Sequence, residues 1–545
     1  MPTKTAKSKL TRRDFAKILG LSSVAGLLSV PGFLALKRKT KKYNIPGSIM
    51  GANSRAGHLL RSKIETVPTK TVKMKTVIVG GGIAGMSAAW KLKKNNDDNF
   101  VLLEMDSRTG GNSQSDENEI SKYPWGAHYV PIPNMYDLNI KELFEDFGII
   151  TGYEKNLPVI NEYYLCSDPE ERLFYQGKWQ DGLIPTNGVT ESDRNQYNQF
   201  FNFVDSLKGK KGKDGKLLFA IPLDLSSQDT EYLALDKISI SDYMLSRNWD
   251  SKPLHWYVDY CCRDDFGVSS RDVSAWAGIH YFASRIGLCA NSDSQRNITW
   301  PEGNGWLADK LKNFSSNHIN CNQLAYNIEI ISPEKAYVDV LNPVTNEFTR
   351  YEAQNIIYCG PRFTADKVIK DQNFKSSKNL IYSPWLTANI SLKQKPRGEG
   401  HQLSWDNVSY YSDSLGYIVA THQDLKFNHN ETVITYYLPL DKLSILESRH
   451  AAYLKSYDDW LDLIIPDLQS FHSNILQDIT KIDLWIWGHG MISPSINYLW
   501  SEEREQMKKP IGPVQFAHTD MSGISIFEEA LYHGCNAANN ILRKA

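Results

Sequence analysis

Cysteine and net charge are what this chain has least of. Its 545 residues include seven cysteines, none in a C-x-x-C or C-x-x-C-H spacing. That excludes the common structural-zinc and c-type haem frameworks. The number is odd and includes the adjacent Cys261 and Cys262, so no disulfide pairing is assignable. The formal charge is −1 with 23% charged residues, and no large basic block lies beyond residue 42. Nucleic acid is therefore not an expected partner. No Ser-His-Asp set and no metal-ligand constellation is evident.

Length and aromatic rings are what the chain has in quantity. At 545 residues it exceeds the size at which one core stops growing, so two domains are expected. Its 14 Trp and 28 Tyr suit either an aromatic-lined cavity or ordinary packing. The most informative stretch runs from Thr76 to Gly111. Thr76 to Val79 is a short apolar β-branched run, which reads as a buried parallel strand. It feeds into Gly80-x-Gly82-x-x-Gly85. The first glycine permits a tight turn, the second lets backbone approach a pyrophosphate, and the third lets the next helix pack on the strand. Gly85, Ala88, Ala89 and Leu92 recur at helical spacing, so a pyrophosphate would meet a helix N-terminus. Phe100 to Leu103 is the next strand, and Glu104 ends it, where an acid can bind ribose hydroxyls. These elements in register predict a bound dinucleotide.

Glu104, Arg108, Gly110 and Gly111 form E-x-x-x-R-x-G-G, which suits a longer ligand whose flavin end passes the backbone. Here the chain resembles the FAD-dependent amine oxidase superfamily, which includes phytoene desaturase-like enzymes. The resemblance implies FAD rather than NAD. The family pattern ends in a further arginine, where this chain has Asn112. It also implies the fold class: α/β, a Rossmann-like FAD-binding domain (amine oxidase fold) with an α+β substrate domain inserted in two pieces.

The N-terminus resembles a twin-arginine export signal. Lys4, Lys7 and Lys9 precede Arg12-Arg13-Asp14-Phe15-Ala16-Lys17, and a mostly apolar run extends from Ile18 to Leu36. The plain alternative is a membrane helix with basic flanks. No clear A-x-A site follows, and five basic residues lie between Lys37 and Lys42, so the segment is expected to stay attached as an anchor or to be cleaved. The expected partner is the twin-arginine translocase and the expected location periplasmic.

The chain divides into an export signal (1–42), a leader (43–72) readable as packing arm or linker, and FAD-binding segments at 73–133, 296–365 and 482–545. Substrate-domain segments fall at 134–295 and 366–481. Helices are predicted at Asp193–Leu207, Ile238–Arg247 and Ser444–Ile464, and strands at Leu324–Ile331 and Lys335–Leu341. Asp264 and Asp265 are acid–base candidates; alternatively one pairs with Arg263 or caps the helix after Ser269-Ser270.

The resemblance assigns the remaining site residues. Ala325 or Tyr326 would lie near adenine. Asp520 would meet the ribityl chain, and the helix opening at Gly523 and Ile526 would point its positive end at the flavin pyrimidine. His128 and His518 would lie near the flavin, and Trp487 and His489 would supply groups around an amine; each also reads as ordinary buried or hydrogen-bonded structure. The implied reaction is hydride transfer to flavin from a carbon beside an amine nitrogen, with a polyamine or amino-acid-like small molecule as substrate. Oxygen, a quinone or a cytochrome is the open set of electron acceptors. The alternatives are a desaturase acting on a lipid-like polyene and a non-catalytic flavin-binding protein.

Overall fold

The computed structural model describes residues 42–292, 296–371, 374, 379–424 and 430–544. The twin-arginine motif and the apolar run of the expected signal lie outside the described residues. Residues from Tyr43 onward form one unit built on two large sheets.

The first sheet has the order β6 (Ile319–Asn320), β3 (Phe100–Leu103), β2 (Lys70–Val79), β9 (Glu347–Tyr358), β8 (Lys335–Asn342) and β7 (Leu324–Ser332). A further strand, β15 (Val514–Phe516), pairs with β9. β6, β3, β2, β9 and β15 are parallel neighbours, whereas β8 adds antiparallel to β9 and β7 antiparallel to β8. Both faces of the parallel part are covered. Val77 and Val79 enter one core cluster, while Ile78, Leu102 and Ile357 enter another. A strand buried on both faces needs an unbroken apolar run, and that is why Thr76–Val79 is legible. Helix α1 (Ile83–Lys94) follows β2 with nearly every residue buried. The last helix, α7 (Phe527–Leu542), packs on it through Gly534, where a Cβ would fall 2.1 Å from the Ala84 carbonyl oxygen. The small residues of that helix permit this approach.

The second sheet runs β1 (Ile49–Gly51), β14 (Ile479–Ile492), β10 (Tyr382–Leu392), β13 (Thr432–Pro439), β12 (Tyr417–Val419), β11 (Asp406–Ser409), β4 (Glu171–Tyr175) and β5 (Lys178–Asp181). Alternation along these strands separates two faces. Leu386, Tyr436 and Ile486 face a core closed by α6 (Tyr457–Phe471). Their neighbours Trp385, Tyr437, Trp485 and Trp487 face an aromatic layer that includes Trp125 and Trp405. Helices α2 (Glu191–Asp205), α3 (Lys252–Phe266) and α4 (Ala275–Ala283), inserted between β5 and β6, close over the β4 and β11 end of this layer.

Several expectations shift. The leader is an arm: β1 adds a parallel edge strand to β14, with Leu484 N–H donating to Ser48 O at 2.8 Å. Gly47 is required there, because its φ is +156° and a Cβ would overlap the Ile482 carbonyl at 1.6 Å. The boundary at 481/482 cuts β14, all of which belongs to the second sheet. The helix expected over Ser444–Ile464 is two helices, α5 (Ile445–Leu454) and α6. Ser456 restarts the second with a capping box to Asp459, and Pro466 lies inside it rather than after it. Arg263 pairs with Asp441, not with its neighbouring aspartates, and Ser274 caps α4. All seven cysteines are free thiols.

Candidate functional site

The site begins at the turn between β2 and α1. Gly80 has φ +108°, and a Cβ on Gly85 would lie 1.9 Å from the Gly80 oxygen, so both glycines are sterically required. Gly82 differs: nothing lies within 4 Å of the Cβ position it lacks, and no side chain caps the helix it opens. Open space before an uncapped helix N-terminus is a cradle for an anion. Glu104 lies beside it, accepting from Gly81 N–H at 2.6 Å and Asp106 N–H at 2.7 Å. Burial pushes its carboxyl up to about 7 against those hydrogen bonds. The second glycine pair crosses over the first turn. Gly110 N–H donates to Gly81 O at 2.9 Å, and a Gly111 Cβ would lie 3.3 Å from Gly82 Cα. Together these residues fit a dinucleotide pyrophosphate and ribose.

Arg108 is held within its own loop. Its guanidinium binds Gln114, the Ser115 carbonyl and Asp116, with Nη1 to Asp116 Oδ1 at 2.9 Å, so it braces the following loop. Asn112, at the position of the family's further arginine, donates instead to Gly490 O on β14. Ala325 is buried in β7 opposite Val340, and the Tyr326 hydroxyl donates to Thr66 O in the arm at 2.8 Å.

Asp520 is likewise engaged by the protein. It is fully buried, and its Oδ2 accepts from Arg362 N–H at 2.6 Å and Tyr382 OH at 2.5 Å, while Oδ1 lies 2.9 Å from His518 Nδ1. Burial raises its pKa, but His518, Tyr382 and the Arg362 amide outweigh that and hold it below the ordinary value. Asp520 and His518 thus form a tie joining the end of β15 to β10. Gly523 (φ +77°) packs on Tyr498, and Ile526 opens α7 with no side-chain cap. Two carboxyls, Glu528 and Glu529, stand in the first turn of α7, and no sequence motif marks them. Glu529 accepts from Leu223 N–H at 2.6 Å and from Ser522 OH, and burial raises Glu528 to about 7 and Glu529 to about 8. Raised this far, both are partly protonated near pH 7, which lessens their offset of the positive helix end.

Between the aromatic face of the second sheet and helices α2, α3 and α4 lies a cavity of about 330 Å³. Glu171 from β4, Asp406 from β11 and Asp264 from α3 line it, and Tyr129, Tyr260, Tyr281 and Trp405 are among its rings. Asp406 and Glu171 are directly paired in the parallel register of their strands. Adjacent like charges on one buried face are destabilising unless something offsets them. Burial, then Asp181, lifts Glu171 to about 7. Burial, then Asp265, lifts Asp264 to about 7. Burial, then Glu171 and Asp264, lifts Asp406 well above the ordinary range. Arg285, Arg296 and Lys208 also line the cavity, but each is held by another acid: Arg285 by Asp265 at 2.6 and 2.8 Å, Arg296 by Asp168 at 2.7 Å and Lys208 by Asp205 at 2.9 Å. Among the described residues, none of the three acids has an ion pair.

The four candidate catalytic residues separate. His128 lines the cavity, its ring 4.7 Å from Tyr437 and 5.5 Å from Trp405, and burial lowers its pKa to about 4. It is neutral at pH 7. Trp487 lies in the aromatic layer but off the cavity, donating from Nε1 to Trp125 O at 2.8 Å. His489 stacks on Phe363 at 4.5 Å and does not line the cavity, and His518 belongs to the Asp520 tie. Of the aspartate pair, Asp264 reaches the cavity and Asp265 holds Arg285.

Residues 78–147 match the family described as NAD(P)-binding Rossmann-like domain. No curated protein matches the chain by sequence. Among solved structures, putrescine oxidase bound to putrescine is similar with a TM-score of 0.64 at 14% identity, over 87% of this chain and 100% of that one. Cyclohexylamine oxidase from Brevibacterium oxydans IH-35A gives 0.61 at 13% identity, over 86% and 99%. A CLA-producing fatty acid isomerase from P. acnes gives 0.60 at 15% identity, over 86% and 98%. The chain has the amine oxidase fold with a Rossmann-like dinucleotide-binding domain. At these identities the likeness establishes architecture, and the cavity has to speak for the substrate.

Proposed function

We propose that this protein is an FAD-dependent oxidoreductase that oxidises the C–N bond of a small amine. The observation that carries this reading is the acidic, aromatic cavity beside His128. FAD would be held by Gly80, Gly82, Gly85, Glu104, Gly110, Gly111 and the α7 N-terminus. When bound, it supplies the hydride acceptor for a carbon beside the amine nitrogen.

The chain's own residues prepare the amine. Glu171, Asp264 and Asp406 draw an ammonium group into a space where tyrosine and tryptophan faces also favour a cation. Hydride loss requires the nitrogen lone pair, so the ammonium must first give up a proton. Asp264, with a pKa of about 7 and a place on the cavity wall, is the acceptor we assign. Neutral His128 lets the amine approach without repulsion. More than one acid in the cavity favours a substrate with a second cationic group, such as a diamine or polyamine. A polyene would bury hydrocarbon against three carboxyls, so the desaturase reading finds no support in this cavity.

The deciding experiment is anaerobic bleaching of the purified flavoprotein at ~450 nm by amines, amino acids and polyenes. Bleaching by diamines supports the reading. Bleaching by polyenes alone overturns it, and a protein purified without flavin removes the cofactor with it. Export by the twin-arginine route into the periplasm is part of the proposal, resting on Arg12-Arg13 and the apolar run. Fractionation of cells carrying an R12K/R13K chain tests it. Oxygen, a quinone or a cytochrome would reoxidise the flavin.

A further inference from the structure

Helix α5 turns a stripe of apolar side chains into solvent. Leu446 is 72% exposed, Tyr453 52% and Leu454 71%, and Leu443 just before the helix is 57% exposed. Positions 446, 450, 453 and 454 share one helical face, so His450 completes the stripe. The opposite side is fixed. Ser448 and Ala452 are buried, and Arg449 donates to the Gly488 and Tyr382 carbonyls. The leucines are therefore held outward by a docked helix. Glu447, the acid of this helix, is engaged in its capping box with Ser444, while Lys442, which also pairs with Asp413 at 2.8 Å, and Lys455 flank the stripe. Rimmed apolar patches of this kind mark docking surfaces.

Two features select a lipid surface as the occupant. The described chain begins beside the first turn of α6, the helix that follows α5: Tyr43 and Ile45 pack with Tyr457 against the core, and the hydroxyl of Tyr457, three residues beyond Leu454, donates to Pro46 O at 3.2 Å. The sequence leading to that point is the apolar run Ile18–Leu36 followed by five basic residues up to Lys42. Basic residues next to an apolar segment are attracted by anionic headgroups, and stable attachment of a peripheral face takes two such signals.

We infer that the α5 stripe rests on the surface of an anionic lipid bilayer, beside the point where the described chain begins. This is independent of the amine chemistry. The test uses the full chain with Leu446→Cys carrying an environment-sensitive fluorophore, and Val344→Cys, 74% exposed in the turn between β8 and β9, as control. Six native cysteines are buried and Cys321 is only partly accessible, so labelling is directed to the introduced thiol. With vesicles of phosphatidylcholine and phosphatidylglycerol, the label at 446 should shift to the blue and brighten several-fold, and the label at 344 should not. An L446E/L454E chain should bind on the order of tenfold less vesicle. Flotation with vesicles while the label at 446 stays silent overturns the inference and leaves only tethering by the N-terminal segment. Failure to float overturns it as well, and a concentration-dependent shift without vesicles would assign the stripe to a second copy of the chain.

Discussion

Asp406 lies directly opposite Glu171 on two parallel strands, one acid beside another inside the protein. The Tyr260 hydroxyl donates to Asp406 at 3.1 Å, and among the described residues no cation answers either acid. A pair like this destabilises the empty fold and is useful only toward a cationic ligand. Asp406→Asn keeps the size and the tyrosine hydrogen bond while removing the carboxyl that a cationic ligand would ionise. We expect it to raise the melting temperature by a few degrees and to weaken diamine binding by about 10- to 100-fold, the range of one charge-assisted hydrogen bond. Calorimetric melting together with titration of the oxidised protein checks both signs. Loss of stability without loss of affinity would refute the ligand role.

The same acids set a pH dependence. Glu171 and Asp264 titrate near 7 in the folded protein, against ordinary values of 4.5 and 3.8. Between those limits the folded chain holds protons that the unfolded chain has released. Stability then falls as pH rises through that window, because the unfolded state binds fewer protons. A diamine should reverse the trend, since its charges favour the ionised acids, and its binding should release protons. Melting curves from pH 5 to pH 8, with and without a diamine, follow this directly, and Asp264→Asn should flatten the ligand-free slope.

How far the chain could be read follows from the reach of its interactions. Gly80, Gly82, Gly85 and Glu104 were legible because strand, turn, helix and strand are contiguous, so their chemistry is written within one short window. Glu171 and Asp406 were not, because only the parallel pairing of β4 with β11 brings them together. The Asp264-Asp265 doublet was visible, but its division of labour depends on Arg285 reaching Asp265 from beyond α4. The pairing of Arg108 with Asp116 was hidden for a similar reason: only the folded loop shows that the two side chains meet. The arm could be suspected from its glycines, yet only the register of β1 on β14 shows why Gly47 is required.

His128 and His489 offer a clean contrast. His128 lines the acidic cavity, whereas His489 stacks on Phe363 beside Tyr382. His128→Ala should slow flavin reduction by amines by about 10- to 100-fold, the scale expected for misplacing a bound reactant. His489→Ala should leave that rate within about twofold, as substitutions away from the site usually do. Stopped-flow reduction of both variants under nitrogen decides between them. A large effect at His489 would move the reacting centre away from this cavity.

The glycine turn separates folding from cofactor binding. A side chain at Gly85 would collide with the Gly80 carbonyl at 1.9 Å, so Gly85→Val must displace α1 from β2 and should cost about 3 kcal/mol or more of stability. Gly82 has open space in front of it, so Gly82→Val should fold with nearly unchanged melting but fill the volume a pyrophosphate needs. The expected result is a soluble, colourless G82V protein and a poorly folded G85V protein. Absorbance of the purified chains and their circular dichroism melts distinguish the two. If G82V retains stoichiometric flavin, the phosphate does not sit at the N-terminus of α1, and the dinucleotide assignment of this turn is wrong.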